Sequence, residues 1–368
     1  MEKIIEKTKK EFVLVASGVA AAISAAFVPP SKAYLSYIDF RVIVILFCLM
    51  AIIAGIRRLG AFEALAQIML QKTGSVHSMS LVLILLTFFS SMLITNDVAL
   101  ITFVPFTIAV LSFAGRGNLI FVITMQTIAA NLGSMLTPVG NPQNLYLYTF
   151  YNLGILEFLH ITLPIVLISF VIIVGITLFE KNGLVEVSFT EDAKVEDKTR
   201  LNIYICLFAV CLAAVFGLIS CTSMFVVVVI AILYFDRSIF GKVDYGLLVT
   251  FVFFFIFIGN IAQIGAIENS VIRLIRNKEM IFAIALSQVI SNVPAAIMLS
   301  SFTKNYAMLI AGTNIGGLGS LIASLASLIS FRLYLSTENA EPVKYLTIFT
   351  VINLLILPVL VAFAYFWY

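Results

Sequence analysis

The chain has 368 residues, of which 62% are hydrophobic and 11% charged, with 22 Lys and Arg against 19 Asp and Glu and a net charge of +3. A soluble domain averages roughly 45–50% apolar and about 25% charged residues, so this composition excludes a water-facing globule, a disordered chain, a disulfide scaffold and a nucleic-acid binder. An all-α polytopic membrane protein remains.

Taken in order, the Lys-rich start (Lys3, Lys7, Lys9, Lys10) leads into an apolar run at 11–28, expected as an uncleaved first span. A second span at 38–56 is followed by a short amphipathic segment opening at Gly60. Between Lys72 and Glu157 the only charged side chains are Asp97 and Arg116, and the run from Met79 to Phe113 is interrupted by Thr95, Asn96 and Asp97. Each flanking arm is about 10–17 residues, short for a hydrocarbon core that takes ~20, which predicts a re-entrant hairpin with its tip near 95–97. Spans at 119–150 and 158–179 come next, then a mixed-charge linker at 181–200, expected in the cytoplasm. The second part brings spans at 201–219, 221–236 and 246–265 and a second hairpin with its tip near 291–294. Spans at 306–332 and 345–366 complete an expected set of nine. With the N-terminus inside, all but six of the basic residues (Lys32, Arg41, Arg273, Arg276, Lys278 and Lys304) lie on the cytoplasmic side, as the positive-inside rule favours.

Three short matches recur in the same order. Gly60-Ala61-Phe62-Glu63 matches Gly265-Ala266-Ile267-Glu268. Ser91 to Phe106 aligns with Ser287 to Phe302, sharing Ser, Ile, Asn, Ala, Ile and Phe. Asn131, Gly133, Thr137 and Asn144 align with Asn314, Gly316, Ser320 and Ser327 without a gap. Because 38–56 runs inward and 246–265 outward, the copies are inverted: residues 1–180 form the first repeat, and 201–368 a connecting span and the second. Inverted repeats whose broken helices meet at the midplane are the build of many secondary transporters.

Polar residues at depth sit on two kinds of element: the hairpin tips and two interrupted helices, near 131–144 and 314–327. Gly and Pro there free carbonyls at the end of one half-helix and amides at the start of the next. Carbonyls with Asn, Ser and Thr oxygens suit Na⁺, and amides at a helix N-terminus suit an anion. Candidate ion-binding residues are Thr95, Asn96, Asp97, Asn131, Gly133, Ser291, Asn292, Asn314 and Gly316. Candidate substrate-binding residues are Asn96, Asp97, Thr137, Asn141, Asn144, Asn292 and Ser320. Asp97 is the only charged side chain deep in a long apolar run, where an acid costs ~2.5–3.5 kcal/mol unless protonated, paired or ion-bound. It reads as a proton or Na⁺ carrier, against a simpler role capping a helix.

The order of a T/S-N tip, N-x-G leading into T-P-x-G-N-P-x-N, then S-N-V-P and G-T-N-I-G-G resembles the ion transporter superfamily over residues 40–335, and with it a citrate-transporter-like domain. That group comprises citrate and divalent-anion:sodium symporters, arsenite permeases and Na⁺/H⁺ antiporters. The resemblance implies one cation site at Thr95 and Asn96 with the Gly133 region and another at Ser291 and Asn292 with the Gly316 region. Where dicarboxylate symporters carry Thr as the third tip residue, this chain has Asp97 and Val293, and Asp there looks like the arsenite-permease and antiporter branches.

The expected function is secondary active transport of a small anion, a carboxylate such as citrate or a dicarboxylate or an inorganic oxyanion such as arsenite, coupled to Na⁺ or H⁺. The alternative is a Na⁺/H⁺ antiporter using Asp97. No enzyme is expected, since H-E-x-x-H is absent, only one acid is deep, and Ser320 in Gly317-Leu318-Gly319-Ser320 has no evident base. His77 and His160 stand alone, and Cys48, Cys206, Cys211 and Cys221 read as small buried hydrophobes, so neither a cofactor nor a metal beyond Na⁺ is expected. Expected partners are the anionic substrate and the lipid bilayer of a bacterial or archaeal plasma membrane, with no nucleic acid; a homodimer is possible.

Overall fold

The computed structural model describes residues 12–71, 73–111, 116–179 and 194–368, and these are helical with no strand among them. The Lys-rich start and most of the 181–200 linker lie outside the described residues, as does the side chain of Arg116. Helix α1 (Phe12–Phe27) and a single turn α2 (Tyr34–Tyr37) precede α3 (Phe40–Arg58), α4 (Ala61–Leu70) and the hairpin pair α5 (Val76–Ser91) and α6 (Asn96–Leu111). Then come α7 (Arg116–Gly133), a 3₁₀ turn at Ser134–Leu136, α8 (Pro142–Phe150) and α9 (Ile155–Leu178). Helices α10 (Lys198–Val215) and α11 (Cys221–Asp236) connect to α12 (Tyr245–Ala262) and α13 (Gly265–Ile275). The second hairpin is α14 (Glu279–Ile290) with α15 (Asn292–Ser300), followed by α16 (Tyr306–Ile315), α17 (Leu325–Leu335) and α18 (Pro342–Trp367).

Among the described residues, seven helices are long and apolar enough to cross a membrane, namely α3, α7, α9, α10, α11, α12 and α18. The described part of the first expected span is α1, 16 residues from Phe12 on. The spans expected at 119–150 and 306–332 are each divided at the break expected in them. In the first of these, α7 gives way to the 3₁₀ turn and α8. The second is two pieces of 10 and 11 residues, each about half of the ~30 Å hydrocarbon thickness at 1.5 Å per residue, separated at 316–324.

The same series of elements occurs twice. A long helix, a short one, a hairpin, a broken helix and a long closing helix make up α3–α9 and again α12–α18. Both long helices start on an aspartate cap: Asp39 accepts from Val42 N at 3.1 Å and Asp244 from Leu247 N at 3.1 Å. Both short helices begin at the matched glycines, Gly60 just before α4 and Gly265 as the first residue of α13. The side chains of Ala266, Ile267 and Glu268 in the second match lie outside the described residues.

Helix α7 is the centre of the molecule: 89% of the window Asn118–Leu136 is buried, against 22% of the corresponding windows in α11 and α18. Around it lie two apolar cores. One gathers α3, α8, α10, α11, α12 and α15; the other gathers α5, α7, α17 and α18. Helix α6 belongs to both, sending Ala99 and Phe103 into the first and Leu100 and Val104 into the second. Its first turn, which carries Asn96 and Asp97, is therefore held from two sides. Helix α12, where residues 251–257 hold five Phe, packs inward too, with Phe251, Phe254 and Phe255 buried. Of the cysteines, Cys48 and Cys211 are buried and Cys221 is intermediate, but Cys206 is exposed, on a face of α10 that a lipid-bathed helix can leave apolar.

Candidate functional site

Each hairpin tip is fastened to the break that follows it. Asn96 N donates to Gly140 O at 3.1 Å, and Asn292 N donates to Ala323 O at 3.0 Å. These are corresponding atoms, because the hairpins align at an offset of 196 residues (Asn96 to Asn292) and the breaks at 183 (Asn131 to Asn314), which takes Gly140 to Ala323. The hydroxyls of the matched Thr137 and Ser320 do the same job, donating to the main-chain carbonyls of Met92 and Gln288. Both hydroxyls proposed for substrate thus tie a hairpin to a break. Close packing completes the joint: a Cβ on Gly133 would lie 2.7 Å from Ser91 Oγ, and one on Gly316 would lie 2.8 Å from the equivalent Ser287 Oγ.

The two breaks are also cross-linked, each asparagine reaching into the other half. Asn314 Nδ2 donates to Asn144 Oδ1 at 2.6 Å, and Asn314 Oδ1 accepts from Asn141 Nδ2 at 3.3 Å. At the corresponding places Asn131 Nδ2 lies 3.4 Å from Ser327 Oγ, and Asn131 Oδ1 accepts from Ser324 Oγ at 3.0 Å. Asn131 Oδ1 also accepts from Asn96 Nδ2 at 3.0 Å. Asn96, Asn131, Asn141, Asn144, Asn292 and Asn314 are all buried. Buried amides cost free energy unless paired, so so dense a cluster of mutual bonds fixes the register of the two halves at this point.

The helix ends then have defined places. Helices α8 and α17 start at Asn141 and Ser324, whose side chains accept from Asn144 N at 3.0 Å and Ala326 N at 3.2 Å. Helices α6 and α15 start at the tip asparagines. The bonds above bring these four N-termini together, each equivalent to roughly +0.5 charge. The C-terminal ends of α7 and α16, at Gly133 and Ile315, contribute partial negative charge beside them. An anion is favoured at the first set of ends and a cation at the second.

Asp97 stands in the first turn of α6, half-buried, with its N–H donating to Asn96 Oδ1 at 2.9 Å. Among the described residues its carboxylate forms no ion pair with Lys or Arg. Thr95 closes that turn through its carbonyl, which accepts from Ala99 N at 3.0 Å. Ser291 holds φ of 78° and ψ of 155°, a region used almost only by glycine, at a cost of about 1–3 kcal/mol. Its hydroxyl makes long contacts only, 3.4 Å to Asn292 Oδ1 and 3.5 Å to Ala323 O. Ser291→Gly is therefore expected to be more stable than Ser291→Ala by about 1 kcal/mol, read by thermal unfolding. Equal stabilities would show that the backbone carries no strain there.

Three contributors are absent from the sequence-based set. Ser324 could have been found, since the 183-residue offset takes Asn141 to it. Asn353, buried in the middle of α18, accepts from Gly319 N at 3.1 Å and is the kind of deep polar residue that marked Asp97. Gln288, which grips the second break, has Met92 as its counterpart and leaves no repeat signal.

The family model described as citrate transporter matches residues 3–316. An uncharacterized transporter of Methanocaldococcus jannaschii is 37% identical over 342 residues, covering 90% of this chain and 91% of that protein. The inner membrane protein YbiR of Escherichia coli is 29% identical over 331 residues, covering 87% and 86%. A silicon efflux transporter of Oryza sativa subsp. japonica is 29% identical over 133 residues, covering 35% of this chain and 27% of its own length.

Proposed function

The chain belongs to the citrate transporter family, and from that premise we propose that it is a secondary active transporter that moves a small anion, a carboxylate or an inorganic oxyanion, together with Na⁺ or H⁺. The observation that carries this reading is the meeting of four helix N-termini with two helix C-termini through Asn96, Asn131, Asn141, Asn292, Asn314 and Ser324. Such a place offers positive and negative partial charge side by side, which suits the joint binding of an anion and a cation.

The hairpins α5–α6 and α14–α15 are re-entrant in this reading, with their tips near mid-membrane. The halves are inverted repeats, the N-terminus is cytoplasmic, and the protein resides in a bacterial or archaeal plasma membrane. Hairpins and breaks move as one unit, since they are bonded to one another, and alternating access comes from that unit moving against the outer helices. Asp97, beside the tip and without a basic partner among the described residues, supports a second reading, in which the protein exchanges Na⁺ for H⁺.

Proteoliposomes separate the two. Loaded against a Na⁺ or proton gradient, they are expected to accumulate at least one of citrate, a four-carbon dicarboxylate or arsenite. Asp97→Asn is expected to lower that uptake by about tenfold or more, the equivalent of ~1.4 kcal/mol of lost cation affinity. If no anion enters while a pH gradient moves Na⁺ in a way that Asp97→Asn abolishes, the exchange reading replaces the anion reading.

A further inference from the structure

We infer that the side-chain amide of Gln288 occupies the place of a cation in the second broken helix, so that the two halves, though alike in backbone, do not both bind one. Gln288 Nε2 lies 3.0 Å from Gly316 O, 2.9 Å from Leu318 O and 3.3 Å from Ile284 O. Gly316 and Leu318 lie just past the end of α16, where backbone carbonyls lose their helical partners. An amide nitrogen has two protons, and here three oxygens converge on it. Oxygens converging on one point are the coordination pattern of a hard cation; such an ion would draw them in by about 0.5 Å from hydrogen-bond to metal distance.

The same side chain closes the other half of the grip. Gln288 Oε1 accepts from Ser320 N at 2.8 Å, and a Cβ on Gly319, whose φ is 107°, would lie 2.4 Å from that oxygen. The segment 316–320 is therefore wrapped around the amide, and Gly319 supplies both the backbone conformation and the clearance.

The first half is the internal control. Met92 and Gln288 correspond, and their main-chain carbonyls accept the matched hydroxyls of Thr137 and Ser320. Their side chains diverge, since a thioether cannot donate. In the first break the amide of Asn144 covers Met135 O at 3.2 Å and Thr137 O at 3.3 Å. Among the described residues no side chain donates to the carbonyl of Gly133, the counterpart of Gly316. Met135 is the counterpart of Leu318, so an amide covers that carbonyl in both halves, and the halves differ at the glycine carbonyl. Gly133 O takes no side-chain donor among the described residues, whereas Gly316 O is covered by Gln288. A cation that enters this protein therefore has the glycine carbonyl of the first half to bind and finds that of the second already taken.

The inference shares with the transport reading only the premise that a helix break can hold a cation, and its test reads ion binding rather than transport, so the two can fail separately. Na⁺ bound per chain is measured by equilibrium dialysis of the purified full-length protein, with thermal unfolding followed in NaCl and in choline chloride. Gln288→Met, which copies the first half, and Gln288→Glu, which keeps the shape but replaces the donor with a carboxylate, are each expected to bind one Na⁺ more than the wild type. Their unfolding temperatures are expected to fall in choline and to recover in Na⁺. Met92→Gln, the reverse transplant, is expected to weaken Na⁺ binding at the first half by about tenfold or more and carries the test if the Gln288 variants do not fold. Loss of Na⁺ binding in the Gln288 variants would make Gln288 a ligand and overturn the inference. Equal destabilisation in both salts would overturn it too, leaving Gln288 a structural tie.

Discussion

Gly133→Ala is expected to cost about 3 kcal/mol of stability or more and to abolish transport. A Cβ at this position would lie 2.2 Å from Phe88 O and 2.7 Å from Ser91 Oγ. The nearer atom belongs to the backbone of α5, so no rotamer change relieves the clash and the hairpin must move. Overpacking of this kind costs roughly 1–3 kcal/mol where side chains give way, and more where they cannot. Moving the hairpin also strains the bonds from Thr137 to Met92 O and from Asn96 N to Gly140 O. Gly316→Ala is expected to be milder, because the nearest backbone atom, Gly312 O, would lie 2.7 Å away rather than 2.2 Å, and its other contacts are the turnable Ser287 hydroxyl at 2.8 Å and Ile284 Cα at 3.0 Å. Gly175→Ala sets the opposite pole: it lies within α9 with nothing within 4 Å, and a gain of about 0.5–1 kcal/mol is expected. Thermal unfolding of the three variants in one detergent gives the order, and a Gly133 variant as stable as the wild type would mean that the hairpin is not seated on α7.

The contrast among these glycines marks what sequence can and cannot convey. Gly and Pro in runs of apolar residues locate helix breaks, because they remove a donor or leave a backbone unconstrained, and the breaks at 134–141 and 316–324 fall where Gly133, Pro138, Gly140, Gly316 and Gly319 stand. Polar interruptions at Thr95 and Ser291 likewise locate the turns between helices that pack as hairpins. Correspondence between the halves was legible too, as Asn96 with Asn292 and Asn131 with Asn314. Partnership was not. Alignment says that Asn131 and Asn314 are equivalent, but not that each bonds to the other half's break, because that depends on how the two copies are placed in space. Gln288 was invisible for a second reason: a repeat search finds likeness, and Gln288 matters by differing from Met92.

That cross-bonding gives the second large effect. Asn314→Ala is expected to reduce transport below detection and to cost about 2–4 kcal/mol. The side chain donates at 2.6 Å to Asn144 Oδ1 and at 2.8 Å to Ile310 O, and it accepts from Asn141 Nδ2. Truncation leaves Asn144 Oδ1 buried without that donor, and an unpaired buried polar group costs about 1–3 kcal/mol. Asn131→Ala is expected to cost a similar amount and also to stop transport: its own donations are longer, 3.4 Å to both Gly317 O and Ser327 Oγ, but its loss leaves the buried Asn96 Nδ2 without the acceptor it holds at 3.0 Å. A double-mutant cycle between Asn314 and Asn144 is expected to give a coupling of roughly 0.6–1.7 kcal/mol, the range for hydrogen bonds between membrane helices. The same cycle between Asn314 and Gly175, which touch nothing in common, should give none. Stability and transport together decide what the bonds are for. If Asn314→Ala loses stability as expected yet transports within about twofold of the wild type, less than ~0.5 kcal/mol of transport free energy passes through the crossing. The crossing would then be scaffold alone, and the site would have to lie away from the break that Asn314 enters.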